Sequence, residues 1–426
     1  MIPPPRLLRR IAFALAASAL IAGAVVGLAP KSPTVASASS SGWLESWAAA
    51  MTKPTPVLEN RADAGFRNQT IRNVVFTSIG GQEVRIRLSN RYGDRPLHIG
   101  QASVGVVASD GNLSGPAYAV TFDGSRSVVV PAGEEVVSDA VAMPVSALED
   151  LAVSIYVPQA TGPATFHFFG EQNNFLAPGN HVSDVSDRDY PTHDTSWYFL
   201  DGVEVLGADK RAGTVVAFGD SITDGIGSTP GANQRWPDFL ARRLDATYGA
   251  EAPGVLDEGI GGNRVLNPSA CYGPSAVTRF NQDVLDQPGV RAVIVLEGIN
   301  DIGYSQDADL GCLAPTTNVS AAQIIGGYQK MIAMAHAHGI KIIGATLTPF
   351  ESSWFWTVAG QAKWTAVNHW ILTSGAFDGV VDFAHVLGVP GHPNDVDPRY
   401  DSGDGLHPSD AGYQAMADAI NLSQLR

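Results

Sequence analysis

The sequence predicts an α/β fold, a doubly wound parallel five-stranded sheet, preceded by a β-sandwich of jelly-roll type. Three observations predict it. Five apolar runs, Thr214–Phe218, Gly254–Asp257, Ala292–Leu296, Ile340–Leu347 and Gly379–Phe383, alternate with helical patterns, the arrangement that lays parallel strands between two helical layers. Ahead of them, from about Trp43 to Val205, the apolar period is two and turn residues recur, as in packed antiparallel sheets. Between the two textures lies Gly207–Gly213, with the composition of a linker. The expected organisation is a leader at 1–38, a β domain at 43–207 and an α/β domain at 208–426.

The leader reads as an export signal. Arg6, Arg9 and Arg10 precede an apolar run from Ile11 to Leu28, and Ala36–Ser37–Ala38 offers small residues for cleavage. The run is rich in Ala and Gly, which favours a cleaved leader over a permanent anchor. Secretion is the expected outcome.

In the β region Val84, Ile86 and Leu88 alternate with Glu83, Arg85 and Arg87, the pattern of a half-buried strand. Ser103–Val107, Ser127–Val130, Leu151–Val157, Thr165–Phe169 and Ser196–Leu200 read as further strands, separated by turn chemistry at Asn90–Gly93, Asp110–Gly111, Asp123–Gly124 and Pro131–Gly133. His167, His181 and His193 show no metal-ligand spacing and read as ordinary surface or turn residues. This region is expected either to bind carbohydrate or to pack on the second half and shape its cleft.

In the second half, Trp236, Leu240 and Leu244 recur at helical spacing, as do Val277, Phe280 and Val284, and then Ile324, Tyr328, Met331 and Ala335. Asn368, Trp370 and Ile371 lie in a fourth helical stretch, and Asp410–Ile420 forms the last. Parallel sheets carry their sites at the carboxyl ends of the strands. After the first strand comes Gly219–Asp220–Ser221, after the second Gly259–Ile260–Gly261–Gly262–Asn263, after the third Gly298–Ile299–Asn300–Asp301, and past the fifth Asp404–Gly405–Leu406–His407–Pro408. With strand order 2-1-3-4-5, Ser221, Gly262 and Asn300 converge on one spot.

Those residue types suit acyl transfer. A serine hydroxyl is a weak nucleophile until a neutral imidazole accepts its proton, and His407 can do that while Asp404 fixes its tautomer. Attack on an ester carbonyl creates an oxyanion. The backbone N–H groups of Ser221 and Gly262 and the side-chain amide of Asn300 can receive it. An imidazole base must be neutral, so activity is expected to fall as pH drops through the imidazole range, about 6.5 for a free side chain.

Taken together, GDSITDG, GIGGN, GIND and DGLHP make residues 214–420 resemble the SGNH (GDSL-type) hydrolases. The resemblance implies a serine carboxylic ester hydrolase with Ser221, His407 and Asp404 as triad, an acyl-enzyme intermediate, and an oxyanion hole from Ser221, Gly262 and Asn300. Asp257 stands where many members have Asn, a departure that alters local hydrogen bonding. Ser46–Trp47–Ala48–Ala49 and Met51–Thr52–Lys53–Pro54–Thr55–Pro56, with the β region, resemble secreted acyl esterases associated with xylan breakdown.

Other chemistries find less support. The 426-residue chain carries a net charge of −15, and without residues 1–38 it keeps 23 basic against 42 acidic side chains, a balance that disfavours nucleic acid and anionic membranes as partners. There is no phosphate-binding GxxxxGK[ST], no HExxH and no G-x-S-x-G around Ser221, and Gly225–Ile226–Gly227 lacks the third Gly of a dinucleotide fingerprint. No cofactor and no metal is implied. The two cysteines, Cys271 and Cys312, are expected to pair in an exported protein and to tie together the loops after the second and third motifs. Trp354, Tyr272 and Tyr304 are candidates to hold substrate, since aromatic rings at the strand ends can stack on sugar or aryl groups. The expected substrates are acetyl or other small acyl esters of plant polysaccharide or aryl alcohols. The competing readings are a lipase or lysophospholipase of the same fold and, from a different class, a catalytically inactive carbohydrate-binding protein.

Overall fold

The computed structural model describes residues 42–426 except 58–59, 210–211, 307–310, 313 and 315–316. The expected leader lies outside the described residues. The described residues form one compact unit.

Two antiparallel sheets dominate its first half, beside the two-stranded pairs Phe166–His167 with Trp197–Tyr198 and Leu97–Ile99 with Val128–Val130. The smaller runs in the order Trp43–Ala48, Leu200–Leu206, Glu83–Ser89, Glu135–Val137. In the larger, Thr192–Asp194, Asn174–Pro178, Gln69–Phe76, Asp150–Val157 and Gln101–Ser109 follow one another. Alternation aims Leu151, Val153 and Ile155 of the larger sheet and Val84, Ile86 and Leu88 of the smaller into one shared core. The two sheets therefore cover each other's apolar faces.

Gln69–Phe76 is the strand that periodicity does not reveal. Its centre holds Arg72 and Asn73, both fully buried. Arg72 donates to the Gly111 carbonyl at 2.6 Å, the Asp184 carbonyl at 2.5 Å and Ser154 Oγ at 2.9 Å, so its burial leaves no donor face unmet. Thr165–Phe169, expected as a strand, is paired only at Phe166–His167.

The second half holds the parallel sheet: β1 (Thr214–Gly219), β2 (Gly254–Gly259), β3 (Val290–Leu296), β4 (Lys341–Ala345) and β5 (Gly379–Val381). Their order is β2-β1-β3-β4-β5, parallel throughout. Helices α1 (Ser221–Asp224), α2 (Trp236–Tyr248), α3 (Ala276–Phe280), α4 (Ile299–Gly303), α5 (Ala321–Ala337), α6 (Val358–Thr373), α7 (Phe383–Leu387) and α8 (Asp410–Ala419) follow in chain order. Phe383 was expected to end the fifth strand but starts α7, because Asp382 caps that helix by accepting the His385 N–H.

The halves interlock along β2. Ala49 forms an isolated parallel bridge with Asp257, and the Val255 N–H donates to Ser78 Oγ at 2.9 Å. Arg87 holds Glu45 and Asp201 of the first half and donates to Gln287 Oε1 of the second at 3.2 Å.

Candidate active site

The turn after β1 sets the first residue of the site. Asp220 caps α1 by accepting the Ile222 N–H at 3.0 Å, and Gly225 ends that one-turn helix in the left-handed region at φ 98°. Ser221 is thereby fixed at the helix start, at the carboxyl end of a strand in the middle of the sheet. Burial pushes the Asp220 carboxyl up to about 7, against its hydrogen bond from Ile222 and the charge of His407.

His407 reaches Ser221 from a tight loop. The loop is closed by an Asp401–Pro408 bridge and by Asp401 Oδ1, which accepts the N–H groups of Gly403 and Gly405 at 3.0 Å. Gly405 is left-handed at φ 71°, and a Cβ there would lie 2.7 Å from the Ser352 carbonyl carbon, so only glycine fits. His407 Nε2 lies 2.9 Å from Ser221 Oγ, and His407 Nδ1 lies 2.6 Å from Asp404 Oδ2. The carboxylate only accepts, which places the ring proton on Nδ1 and leaves Nε2 free to accept from the hydroxyl. Asp404 Oδ1 takes the N–H groups of Leu406 and His407 at 2.9 and 2.8 Å. Partial burial raises the Asp404 carboxyl, but the hydrogen bonds from His407 outweigh it and bring it down to about 2.

Gly262 and Asn300 lie on the loops after β2 and β3. Gly262 has φ 75°, and a Cβ there would stand 2.6 Å from the Tyr272 ring. Among the described residues, the N–H groups of Ser221 and Gly262 meet no acceptor. Asn300 Nδ2 donates one hydrogen to the Asn263 carbonyl at 2.9 Å and keeps a second. Asp301, the next residue, accepts the N–H groups of Val265 and Leu266 at 2.7 and 3.2 Å, which pins the Gly262 loop from the β3 side. Its carboxyl is pushed up by burial to about 6.

Sequence reasoning passed over the groups beneath these loops. Arg279 of α3 is buried and donates to Asn263 Oδ1 at 2.9 Å, to the Glu258 carbonyl at 2.8 Å and to the Gly219 carbonyl at 2.7 Å, joining the loops of β1 and β2. His167, expected at the surface, is 3% exposed and bonded to Asp224 at 2.9 Å. The signal was present: Phe166, Phe168 and Phe169 flank it, and an apolar run of that kind is buried together with whatever it contains. His181 pairs with Asp184 at 2.7 Å, and His193 is exposed. Among the described residues, His181, Asp184 and Asp189 form a group with ligand atoms within 4.8 Å of one another.

The three aromatic candidates line up. Tyr272 lies against Gly262 and stacks on Tyr304 with centroids 6.2 Å apart and planes 5° from parallel. Tyr304 is buried, and Trp354, 63% exposed, lies 6.3 Å beyond it. Of the three, Tyr304 is a platform and Trp354 presents its surface to solvent. Cys271 and Cys312 are joined in a disulfide with Cα atoms 5.1 Å apart, linking the segments after the second and third motifs.

Fold and site together define a doubly wound α/β protein with a serine, an imidazole and a carboxylate in series at the sheet's carboxyl edge. Residues 217–415, which contain all of these groups, match the model of the GDSL-like Lipase/Acylhydrolase family. Several solved structures are similar. A GDSL-like lipase from Bacteroides thetaiotaomicron is 20% identical over 50% of this chain and 89% of its own, with a TM-score of 0.37. An acetylxylan esterase from Geobacillus stearothermophilus, solved as a catalytic mutant, is 20% identical over 52% and 95%, with a TM-score of 0.38. The acetyl xylan esterase AlAXEase is 19% identical over 48% and 96%, with a TM-score of 0.36. No curated protein matches the chain.

Proposed function

We propose that this protein is an exported serine esterase that removes acetyl or other small acyl groups from polysaccharide or aryl esters through an acyl-enzyme. One observation carries the reading: the unbroken series Asp404 Oδ2, His407 Nδ1, His407 Nε2, Ser221 Oγ at 2.6 and 2.9 Å. In the first step Ser221 Oγ attacks the ester carbonyl carbon and its proton passes to His407 Nε2. Asp404 stabilises the imidazolium so formed. The negative charge gathered on the carbonyl oxygen is received by the N–H groups of Ser221 and Gly262 and the second amide hydrogen of Asn300. Collapse breaks the bond to the alcohol, which leaves with the proton from Nε2. Water then repeats the sequence on the acyl-serine, giving its proton to Nε2, and the carboxylic acid departs as Ser221 recovers its hydrogen.

Export is supported by the Cys271–Cys312 bridge, a feature of oxidising compartments. No helix among the described residues is long and apolar enough to cross a membrane. A short acyl group is supported by the crowding of Tyr272 against Gly262.

Hydrolysis of nitrophenyl acetate, butyrate and palmitate, and release of acetate from acetylated xylan, test the reading with Ser221→Ala as control. The expected result is preference for the short chains and loss of at least about 10⁴-fold in kcat in the variant. Preference for palmitate would favour the lipase reading. Activity undiminished in Ser221→Ala would end the serine mechanism.

A further inference from the structure

Beside the site, the two halves of the molecule are joined by a buried ionic contact that the ester chemistry does not use directly. His167 comes from the first half and Asp224 ends α1, three residues after Ser221; each is 3% exposed. His167 Nδ1 faces the Ala50 carbonyl at 2.8 Å, and Nε2 faces Asp224 Oδ1 at 2.9 Å. A carbonyl and a carboxylate both only accept, so the ring must donate from both nitrogens, which is the imidazolium form. The second carboxylate oxygen, Asp224 Oδ2, accepts the N–H of Gly261 at 2.8 Å. A continuous line thus runs from Ala50 through His167 and Asp224 to the residue before Gly262. On the other side of Gly261 stands the ring of Phe169, from the same segment as His167.

We propose that His167 and Asp224 are positioning residues for the oxyanion loop: the first half of the chain sets the place of the Gly262 N–H through them, and full activity requires His167 charged. The proposal rests on the esterase reading above. Its chemistry follows from the partners. A neutral His167 keeps its proton on Nδ1 for Ala50 and turns a lone pair toward Asp224, replacing attraction by repulsion inside a buried contact. The carboxylate that fixes Gly261 then shifts, and displacement of about 1 Å at a reacting centre can cost about 10²-fold.

Other groups bear on the same contact. Asp257 of β2 lies near His167, and Arg235, which caps α2, and Tyr413 of α8 lie near Asp224. Glu171, on the His167 segment, also faces Asp224; burial and that charge raise its carboxyl to about 7. Burial opposes the charge on His167, but Asp224 and the Ala50 carbonyl outweigh it and lift the ring above the ordinary imidazole value. With the folded value raised, the contact is fully present below the unfolded value of about 6.5 and lost as pH rises through the folded one. It therefore shapes the alkaline side of the profile.

The test uses the full chain and nitrophenyl acetate from pH 5 to 10, comparing wild type with His167→Gln and Asp224→Asn, each checked for folding by circular dichroism and thermal midpoint. His167→Gln is expected to lose about 10- to 100-fold in kcat with KM within about twofold. Asp224→Asn can still accept from Gly261 through its carbonyl and donate to a neutral His167. It is expected to lose less kcat at neutral pH than His167→Gln does and to lose the alkaline decline. Folded His167→Gln with wild-type kcat at every pH, or Asp224→Asn with an unchanged alkaline decline, would overturn the proposal. A readout free of activity separates it from the esterase reading. Imidazole ¹⁵N shifts in Ser221→Ala should show His167 doubly protonated at pH 7, and a neutral ring there would sink the proposal even if esters are hydrolysed.

Discussion

Asn300 Nδ2 donates to the carbonyl of Asn263 at 2.9 Å, so the third strand's loop holds the second strand's loop by the very group expected to meet the oxyanion. The amide is thereby oriented before substrate arrives. Asn300→Ala removes a donor and loosens the Gly262 loop together. A loss of about 10²–10³-fold in kcat is expected, with KM little changed, measured on nitrophenyl acetate. An effect confined to KM would assign Asn300 to ground-state binding instead.

Asp257 gives a stability prediction with a definite sign. Its Oδ1 accepts the Gly259 N–H at 3.1 Å, while Oδ2 is buried with no hydrogen-bond partner. Burial pushes the carboxyl up to about 8, despite Arg235. A raised acid adds no cost below its unfolded value of about 4, and its penalty grows until pH passes the folded value. Asp257→Asn removes the titration. Relative to wild type it should therefore gain stability progressively from pH 4 to pH 8 in urea denaturation, and a gain independent of pH would contradict this.

The disulfide closes a span of 41 residues. In the chain-entropy model that is worth about 3–4 kcal/mol. Cys271→Ser with Cys312→Ser should lower the unfolding free energy by about that amount, and a reductant should do the same to wild type. Because the bridge ties down the segment carrying Tyr272, kcat should fall along with stability.

Trp354 is exposed and its ring meets those of Phe355 and Tyr304, with centroids 3.9 and 6.3 Å away. Trp354→Ala should leave the thermal midpoint within about 1 °C, since surface changes rarely exceed about 0.5 kcal/mol. KM for aryl or xylan esters should rise while that for methyl acetate stays put. Equal changes for both would remove it from substrate contact.

The second half was legible because apolar runs alternate with helical patterns and glycine with polar residues gathers just past the first three strands, and position after a strand decides what a residue can reach. The order β2-β1-β3 then brings Ser221, Gly262 and Asn300 to one edge without any appeal to side-chain detail. His167 and Arg72 were illegible for the opposite reason. Their partners, such as Asp224 and Gly111, lie more than 35 residues away, so no local pattern names them, and the Phe residues around His167 hint at its burial alone. Gln69–Phe76 was missed on the same account, since a buried Arg and Asn break the apolar signature of a central strand.

The Ala49–Asp257 bridge bears on how such a chain can change over time. It and the Ser78 contact make the first half an edge cover for β2, while His167 makes it a silent participant in the loop that β2 feeds. A break near residue 207 falls between two textures of sequence but inside one compact unit. Recombination there would deliver a second half with a bare sheet edge and without the His167–Asp224 contact beside Gly261. New specificities in this architecture are more readily reached by exchanging the rim around Trp354, whose ring meets Phe355 and Tyr304 of the second half.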